Sequence, residues 1–224
     1  FFSTSLFSIN LDMSYEKDAQ KHILLAYFKK AGLPEKRVYP KLFLSGNEKD
    51  AFFVKKPYLV VHLSASSTTK NFRNAFGIDW NTVIHYAADA GFEIIEIGDS
   101  PGKFPQFFKK TTIREAISIL SGSAFFIGLD SGPSHIAAAL NIPSIILFGA
   151  VNPEFRHFTD QFKGIILQNY CEYAGCYHTN PTAYENHSCR LVGDEGIPKC
   201  CNFTTNQVLN AIDQIIKKYP IRNA

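Results

Sequence analysis

The residues best suited to chemistry form one short run, 130–135, with the sequence Asp-Ser-Gly-Pro-Ser-His. An apolar stretch precedes the run and an Ala-rich stretch follows it, which predicts a buried strand, a turn and a helix. Free N–H groups at a helix start bind anions, and ligands of open α/β sheets bind where strands end. Gly132 would let a phosphate approach the backbone closely, and Pro133 is tolerated at a helix start. The run therefore predicts an anion site.

The same run also fits a capped turn that binds nothing. Asp130 or Ser131 would then be the N-cap of the helix, and His135 an ordinary residue of its first turn. Gly-containing turns before helices are common, so the pattern alone leaves both interpretations open.

All five cysteines lie in the last quarter of the chain: Cys171, Cys176, Cys189, Cys200 and Cys201. Four thiolates could hold Zn or Fe in a tetrahedral site. The spacing lacks the paired Cys-x2-Cys knuckles of common zinc ribbons, so free thiols or one or two disulfides are the alternatives. A catalytic cysteine is not expected, because the sequence positions no base for it.

Apolar runs and helical patterns alternate after residue 57. Predicted strands cover residues 58–63, 92–98, 124–129, 144–148 and 164–167, and predicted helices cover 80–90, 112–120, 134–140 and 205–219. Continuous apolar strands joined by helices indicate a parallel sheet that is covered on both faces. We therefore predict a doubly wound, Rossmann-like α/β fold.

The overall composition narrows the class of protein. The chain has 224 residues, of which 46% are hydrophobic and 19% charged, which is typical of a globular protein. A net charge of +3 is too small to indicate a nucleic-acid or membrane surface. The apolar runs stop short of the roughly 20 residues that a transmembrane segment needs, and no signal peptide is evident. We expect a cytoplasmic protein, at most peripheral to the inner membrane.

Residues 128–153 resemble glycosyltransferase family 9, the heptosyltransferase family. That family typically shows Asp-Thr/Ser-Gly-x-x-His-x-Ala-Ala, then a short strand that ends in Phe-Gly, and a Pro a few residues later. Here the first segment begins at Asp130, Phe148 and Gly149 end the strand, and Pro153 supplies the proline. Pro133 stands where the family more commonly has Leu. The resemblance extends in a consistent order over roughly residues 20–216.

A second match lies upstream. The predicted strand 58–63, the loop that ends at Lys70 and the helix that contains Trp80 resemble the family's first strand, phosphate loop and Trp-containing helix. The resemblance implies that Lys70 places its ammonium group on the diphosphate of the donor. The loop lacks the family's Gly. Its hydroxyls would donate to the same diphosphate, from one or more of Ser66, Ser67, Thr68 and Thr69.

The resemblance also implies roles for the 130–135 run. Asp130, Ser131 and Gly132 would contact phosphate or sugar, and fixed donors at the helix start would neutralise the leaving diphosphate. His135 would donate to the same phosphate, or would simply pack in the first turn.

Two carboxylates near the end of the 92–98 strand are further candidates for donor binding, Glu96 and Asp99. Either would accept hydrogen bonds from ribose hydroxyls. Glu96 equally fits a solvated strand residue.

Members of the family have two Rossmann-like domains that face each other across a cleft, the GT-B arrangement. This chain resembles the C-terminal, donor-binding half. Residues 1–56 would be a connecting segment or a remnant of the N-terminal domain, 57–169 the nucleotide-sugar-binding domain, 170–203 a Cys-containing insertion and 204–224 a C-terminal helix. We expect the acceptor half and its catalytic Asp to have no counterpart here, so the general base is unknown and the chain would not catalyse transfer alone.

The resemblance predicts a glycosyltransferase that binds an ADP-heptose-like nucleotide diphosphate sugar. The acceptor would be a glycan, a lipid-linked molecule or a protein, as in lipopolysaccharide biosynthesis. A non-catalytic nucleotide-sugar-binding module and a GT-B-like nucleotide-sugar epimerase are the alternatives. No cofactor is expected for transfer. A structural Zn or Fe at the cysteines is compatible with the resemblance, since autotransporter heptosyltransferases are thought to hold an iron in this region.

Overall fold

The protein's structure, a computed structural model, describes residues 9–11, 21–50, 52, 54–64, 72–179, 189 and 196–220. The strands are β1 (Tyr58–His62), β2 (Glu93–Gly98), β3 (Phe108–Lys110), β4 (Phe125–Leu129), β5 (Ser144–Phe148) and β6 (Gly164–Gln168). All their pairings are parallel, and they form one six-stranded sheet in the order β3-β2-β1-β4-β5-β6. This is the strand order of Rossmann folds, and the predicted doubly wound α/β fold is confirmed.

Helices cover both faces of this sheet. The helices in the described residues are α1 (Ile23–Lys30), α2 (Gly46–Asp50), α3 (Trp80–Asp89), α4 (Ile113–Ser121), α5 (Gly132–Ala139), α6 (Cys176–Thr179) and α7 (Thr205–Lys218). The helices α3 and α7 share one apolar cluster with one face of the strands, and α4 and α5 share a second cluster with the other face. No helix within the described ranges is long and apolar enough to cross a membrane.

The strands are apolar throughout because both of their faces are buried. In β1, Leu59 and Val61 point into the cluster with α3 and α7, while Tyr58 and Val60 point into the cluster with α4 and α5. Successive side chains of a strand point to opposite faces, so only a continuous apolar run can fill both layers.

The strand β3 was absent from our prediction. It has three residues, of which Lys109 and Lys110 are exposed, and it pairs with β2 at the edge of the sheet that the structure describes. An edge strand of this length carries no apolar run, which explains why the sequence did not reveal it.

Side chains at the helix starts explain where several helices begin. Asp79 accepts hydrogen bonds from the N–H groups of Asn81 and Thr82 at the start of α3. Thr112 forms a capping box with Glu115 at the start of α4. A second capping box, between Thr204 and Gln207, starts α7.

Residues 21–39 pack against the loop that follows β5. The imidazole of His22 stacks on the ring of Phe158, with 3.8 Å between ring centroids. The hydroxyl oxygen of Tyr39 accepts a hydrogen bond of 2.9 Å from the backbone N–H of Phe158. Residues 21–39 therefore help to position the 156–158 loop beside the carboxyl ends of the strands.

Candidate functional site

The candidate site lies where the strand order reverses, between β1 and β4. The chain runs outward from β1 through β2 to β3, and outward in the other direction from β4 through β5 to β6. His62 ends β1 and is paired in register with Gly128 of β4, two residues before Asp130. Nucleotides bind Rossmann sheets at this reversal, outside the carboxyl ends of the strands.

The start of α5 is open at this position. Ser131 occupies the N-cap, but its side chain makes no capping hydrogen bond. Its hydroxyl instead lies 3.2 Å from the carbonyl oxygen of Leu129 and 3.3 Å from Nδ1 of His62. A Cβ atom placed on Gly132 would meet no atom within 4 Å. Ser131 is therefore the N-cap by position, one of the two residues predicted for it, but its side chain caps no helix N–H group, and the helix start has room for a ligand.

Asp130 is buried beside this helix start, with 1% of its surface exposed. Its Oδ2 lies 3.3 Å from Nε of Arg73 and 3.6 Å from Nε of Arg156. Its Oδ1 lies 3.9 Å from Nε2 of His135. Neither carboxylate oxygen accepts a hydrogen bond from the residues that the structure describes. A buried acceptor of this kind is costly unless another group, such as a ligand hydroxyl, binds it.

His135 both packs and faces the site. Its ring stacks on His157 with 4.9 Å between centroids, while 39% of its side chain stays exposed. Burial lowers the pKa of His135, an effect that the charge of Asp130 partly opposes. A neutral imidazole retains one N–H group with which it can donate to a phosphate.

A layer of buried imidazoles lies behind His135. His157 is fully buried and contacts the rings of Phe148 and Phe162. Burial lowers the pKa of His157 to about 2 and the pKa of His22 to about 4. These imidazoles are therefore neutral at pH 7, as their apolar surroundings require.

Glu96 anchors a loop. It is 2% exposed, and its two carboxylate oxygens accept hydrogen bonds of 2.8 and 2.9 Å from the backbone N–H groups of Lys103 and Phe104. The interpretation of Glu96 as a solvated strand residue is wrong. Asp99 is exposed and accepts from the Ser100 hydroxyl at 3.3 Å. Whether either carboxylate contacts ribose stays a prediction.

The predicted phosphate-loop residues Ser66, Ser67, Thr68, Thr69 and Lys70 lie outside the described residues. The residues on both sides of that loop lie at the site. On one side, the Ser64 hydroxyl is 3.2 Å from Nε2 of His62. On the other side, a terminal guanidinium nitrogen of Arg73 donates to the carbonyl oxygen of Asp130.

Cavity size alone does not indicate this site. A cavity of about 640 Å³ lies at the opposite ends of the strands, where they start, and is lined by Lys56, Asn141 and Lys163 among others. A smaller one of about 160 Å³ adjoins the carboxyl ends of β1 and β4, next to Leu63 and Leu129. The site is therefore assigned by topology and by the chemistry around Asp130.

The cysteines gather in one apolar cluster beside Ala150, two residues after the end of β5. Cys171, Cys200 and Cys201 are buried with Phe72, and Cys176 and Cys189 pack against them. Within the described residues, none of the five forms a disulfide bond. The two sulfurs of Cys200 and Cys201 are 3.9 Å apart, and the Cys201 sulfur lies 3.4 Å from the Phe72 carbonyl oxygen. The contact with Cys200 and burial raise the pKa of the Cys201 thiol.

A metal site would require a particular arrangement of these thiols. Over the described ranges, no group of three or more His, Cys, Asp or Glu side chains is placed to hold a metal ion. The predicted metal ligands are therefore brought into one cluster without the geometry of a coordination sphere, which requires thiolate–metal distances of about 2.3 Å.

Four site residues escaped the sequence-based prediction: His62, Arg73, Arg156 and His157. His62 is a polar residue at the end of an apolar strand, and Arg156 comes three residues after Pro153. A polar residue at the end of a buried strand could have indicated His62. Three of the four contact Asp130 or Ser131, and His157 stacks on His135. These contacts depend on strand order, which local spacing does not reveal.

Comparison with known proteins identifies the family. Residues 2–180 match the sequence profile of glycosyltransferase family 9 (heptosyltransferase). The chain is 25% identical over 132 residues to the autotransporter heptosyltransferase Aah of Escherichia coli, an alignment that covers 54% of this chain and 32% of Aah. It is 40% identical over 77 residues to lipopolysaccharide heptosyltransferase 3 of Escherichia coli, covering 34% of this chain and 20% of that protein.

Solved structures agree with this fold. The iron-containing dodecameric heptosyltransferase TibC, solved in complex with ADP-D-beta-D-heptose, superposes with a TM-score of 0.70 at 20% identity, over 92% of this chain and 55% of TibC. A family 9 glycosyltransferase from Veillonella parvula superposes with a TM-score of 0.63 at 12% identity, over 88% of this chain and 61% of that one. The chain thus spans about half the length of TibC and a third of Aah. It belongs to glycosyltransferase family 9, the heptosyltransferase family.

Proposed function

We propose that this chain binds the nucleotide diphosphate sugar donor of a heptosyltransferase, with an ADP-heptose-like donor favoured. The observation that carries this proposal is the Asp130 carboxylate, which is buried and accepts no hydrogen bond from the described residues. It stands at an open helix start beside the strand-order reversal, where phosphates and sugars bind Rossmann sheets. The ADP-heptose complex of the structurally similar TibC supports the choice of donor.

The diphosphate would lie at the start of α5. Gly132 leaves space for a close approach, and the Ser131 hydroxyl and the His135 ring would donate to phosphate oxygens. Asp130 would accept from hydroxyls of the sugar. Lys70 would complete the site as a cation, with hydroxyls from Ser66, Ser67, Thr68 and Thr69, because the residues flanking this loop contact His62 and Asp130.

For the whole reaction, we infer transfer of a heptose to a glycan, lipid-linked or protein acceptor. The named relatives include autotransporter and lipopolysaccharide heptosyltransferases, so their names leave the acceptor class open. The general base and the acceptor site would come from an N-terminal half, since the relatives are longer than this chain. Residues 57–169 would be the donor domain, with the Cys-containing segment 170–203 and the helix after it as appendages.

Titration calorimetry with ADP-heptose, GDP-mannose and UDP-glucose tests this proposal. We expect ADP-heptose to bind most tightly, and Lys70→Ala to weaken its binding by about 1.5–3 kcal/mol, the usual range for a hydrogen bond to a charged group. Lys56→Ala is the matched control, since Lys56 lies at the amino ends of the strands, opposite the candidate site. Failure of all three nucleotide sugars to bind would overturn the proposal. Unchanged affinity in Lys70→Ala would remove Lys70 from the site.

A structural Zn or Fe at the cysteines stays part of the proposal, and the gathering of five thiols supports it. Elemental analysis of purified protein, with Cys201→Ser as the comparison, tests it directly. About one metal ion per chain that is lost in Cys201→Ser would support a metal centre. Protein that carries neither metal, and whose five thiols all react with a thiol reagent after unfolding, would overturn it.

A further inference from the structure

Two arginines from separate loops reach the same oxygen of Asp130. Nε of Arg73 lies 3.3 Å from Oδ2 and Nε of Arg156 lies 3.6 Å from it, so both arginines form ion pairs with this carboxylate. Arg73 also donates to the backbone carbonyl oxygen of Asp130, so it contacts both the main chain and the side chain of that residue. The other oxygen, Oδ1, lies 3.9 Å from Nε2 of His135 and accepts no hydrogen bond from the part of the chain that the structure describes.

The charges explain why both arginines are needed. A carboxylate that is 1% exposed has lost its water, and such a charge is unfavourable without nearby opposite charges. Two guanidinium groups compensate it from one side. Because they approach Oδ2, the lone pairs of Oδ1 remain for a hydroxyl group of a ligand, which would satisfy an otherwise unbonded buried atom.

The arginines themselves are poorly placed to bind a ligand directly. The side chains of Arg73 and Arg156 are only 18% and 10% exposed, and both place Nε within 4 Å of the Asp130 carboxylate. Any effect they have on a ligand therefore passes mainly through the orientation of that carboxylate.

From this geometry we propose that Arg73 and Arg156 are positioning residues, which fix Asp130 so that Oδ1 accepts a hydrogen bond from the sugar of the bound donor. The proposal rests on the donor-binding function proposed above. It assigns sugar recognition to the Asp130 carboxylate, and diphosphate binding to other groups. ADP alone and ADP-heptose should therefore respond differently to substitution of these arginines.

The test compares the dissociation constants of ADP and ADP-heptose, measured by calorimetry for Arg73→Gln, Arg156→Gln and the corresponding lysine variants. We expect each glutamine variant to weaken ADP-heptose binding about tenfold and ADP binding less than about twofold. The lysine variants, which keep the charge, should recover part of the loss. Arg37→Gln is the control, because Arg37 contacts Phe158 and Asp160 but not Asp130.

The outcomes separate this inference from the function on which it rests. Equal losses for ADP and ADP-heptose would overturn it, because they would show that the arginines bind the diphosphate. Unchanged binding of both ligands in the glutamine variants would also overturn it. If a glutamine variant does not fold, the lysine variant of the same residue decides between these outcomes. Wild-type protein that binds neither ligand would instead overturn the donor-binding function itself.

Discussion

The hydroxyl of Ser131 lies 3.3 Å from Nδ1 of His62 and makes no capping bond to the helix that follows it. The same imidazole contacts the Ser64 hydroxyl through Nε2, at 3.2 Å. Burial lowers the pKa of His62, so the neutral ring can donate to one hydroxyl and accept from the other. His62 therefore links the end of β1 to the start of α5 across the strand-order reversal.

This arrangement predicts an unusually small stability effect for a helix N-cap. Replacement of a capping Ser or Thr by Ala commonly costs about 1 kcal/mol, because a helix N–H group loses its partner. The Ser131 hydroxyl caps no helix N–H group, and its contact with Nδ1 of His62 is long, at 3.3 Å. Ser131→Ala should therefore lower the free energy of unfolding by less than about 0.5 kcal/mol. Urea denaturation of both proteins measures the difference.

Thr204→Ala is the matched control for this measurement. Thr204 accepts from the backbone N–H of Gln207 in a capping box, so its loss should cost about 1 kcal/mol. A Ser131→Ala variant as destabilised as Thr204→Ala would contradict the description of α5 as a helix that is open at its start.

The buried imidazoles predict a loss of stability on mild acidification. The pKa of His157 is lowered to about 2 and that of His22 to about 4, from an unfolded value near 6.5. Below pH 6.5 the unfolded chain binds protons that the folded chain does not, so stability present above pH 6.5 is lost as the pH falls. Each such histidine contributes up to about 1.4 kcal/mol per pH unit. For His22 the loss continues down to about pH 4.

Urea unfolding at several pH values between 7.5 and 5 measures this slope, in a range where carboxylates titrate little. His157→Phe should flatten the slope, because a phenyl ring suits the apolar site beside Phe148 and Phe162 and does not titrate. His85→Gln, on the exposed side of α3, is the control. A slope that is the same in His157→Phe and in wild type would rule out His157 as a source of the acid sensitivity.

The fold and the site differ in how far the sequence predicted them. Five of the strands were predicted, because apolar runs are a local property of the chain. The partners of the site residues are distant in sequence. Arg73 contacts a residue 57 positions away, and His62 one that is 69 positions away. Such contacts depend on the order of the strands in the sheet, which cannot be read from the local pattern of a single sequence.

Glu96 illustrates the same limit from the other direction. Its place near the end of an apolar strand left a ribose contact and a solvated position open. Neither indicated that its carboxylate accepts hydrogen bonds from the 103–104 backbone. Glu96→Gln should lower the free energy of unfolding by about 1–3 kcal/mol, because an amide can accept only one of the two hydrogen bonds and its NH₂ group faces the other N–H. Urea denaturation measures this loss.

Hydrogen exchange at the Lys103 and Phe104 amides gives a second readout of the same variant, and both amides should exchange faster. Glu93→Gln is the control, since Glu93 lies on the same strand with an exposed side chain. Unchanged protection of these two amides would mean that the carboxylate does not hold the loop.

The two glycines Gly132 and Gly149 separate ligand binding from folding. A Cβ on Gly132 would meet no protein atom within 4 Å, and its φ is not in the left-handed region. Gly132→Ala should therefore leave the free energy of unfolding within about 0.5 kcal/mol of wild type. The added methyl group would occupy space that we assign to the donor phosphate, so ADP should bind at least about tenfold more weakly.

Gly149→Ala gives the opposite result by the same argument. Its Cβ would lie 2.1 Å from the Phe72 carbonyl oxygen and 2.5 Å from the Cys201 sulfur, in a buried cluster with no room to adjust cheaply. Overpacking of this kind costs about 1–3 kcal/mol or more, so thermal denaturation should show a clear loss. Calorimetry with ADP completes the comparison. A Gly132→Ala protein that is fully stable and binds ADP as tightly as wild type would remove the start of α5 from the donor site.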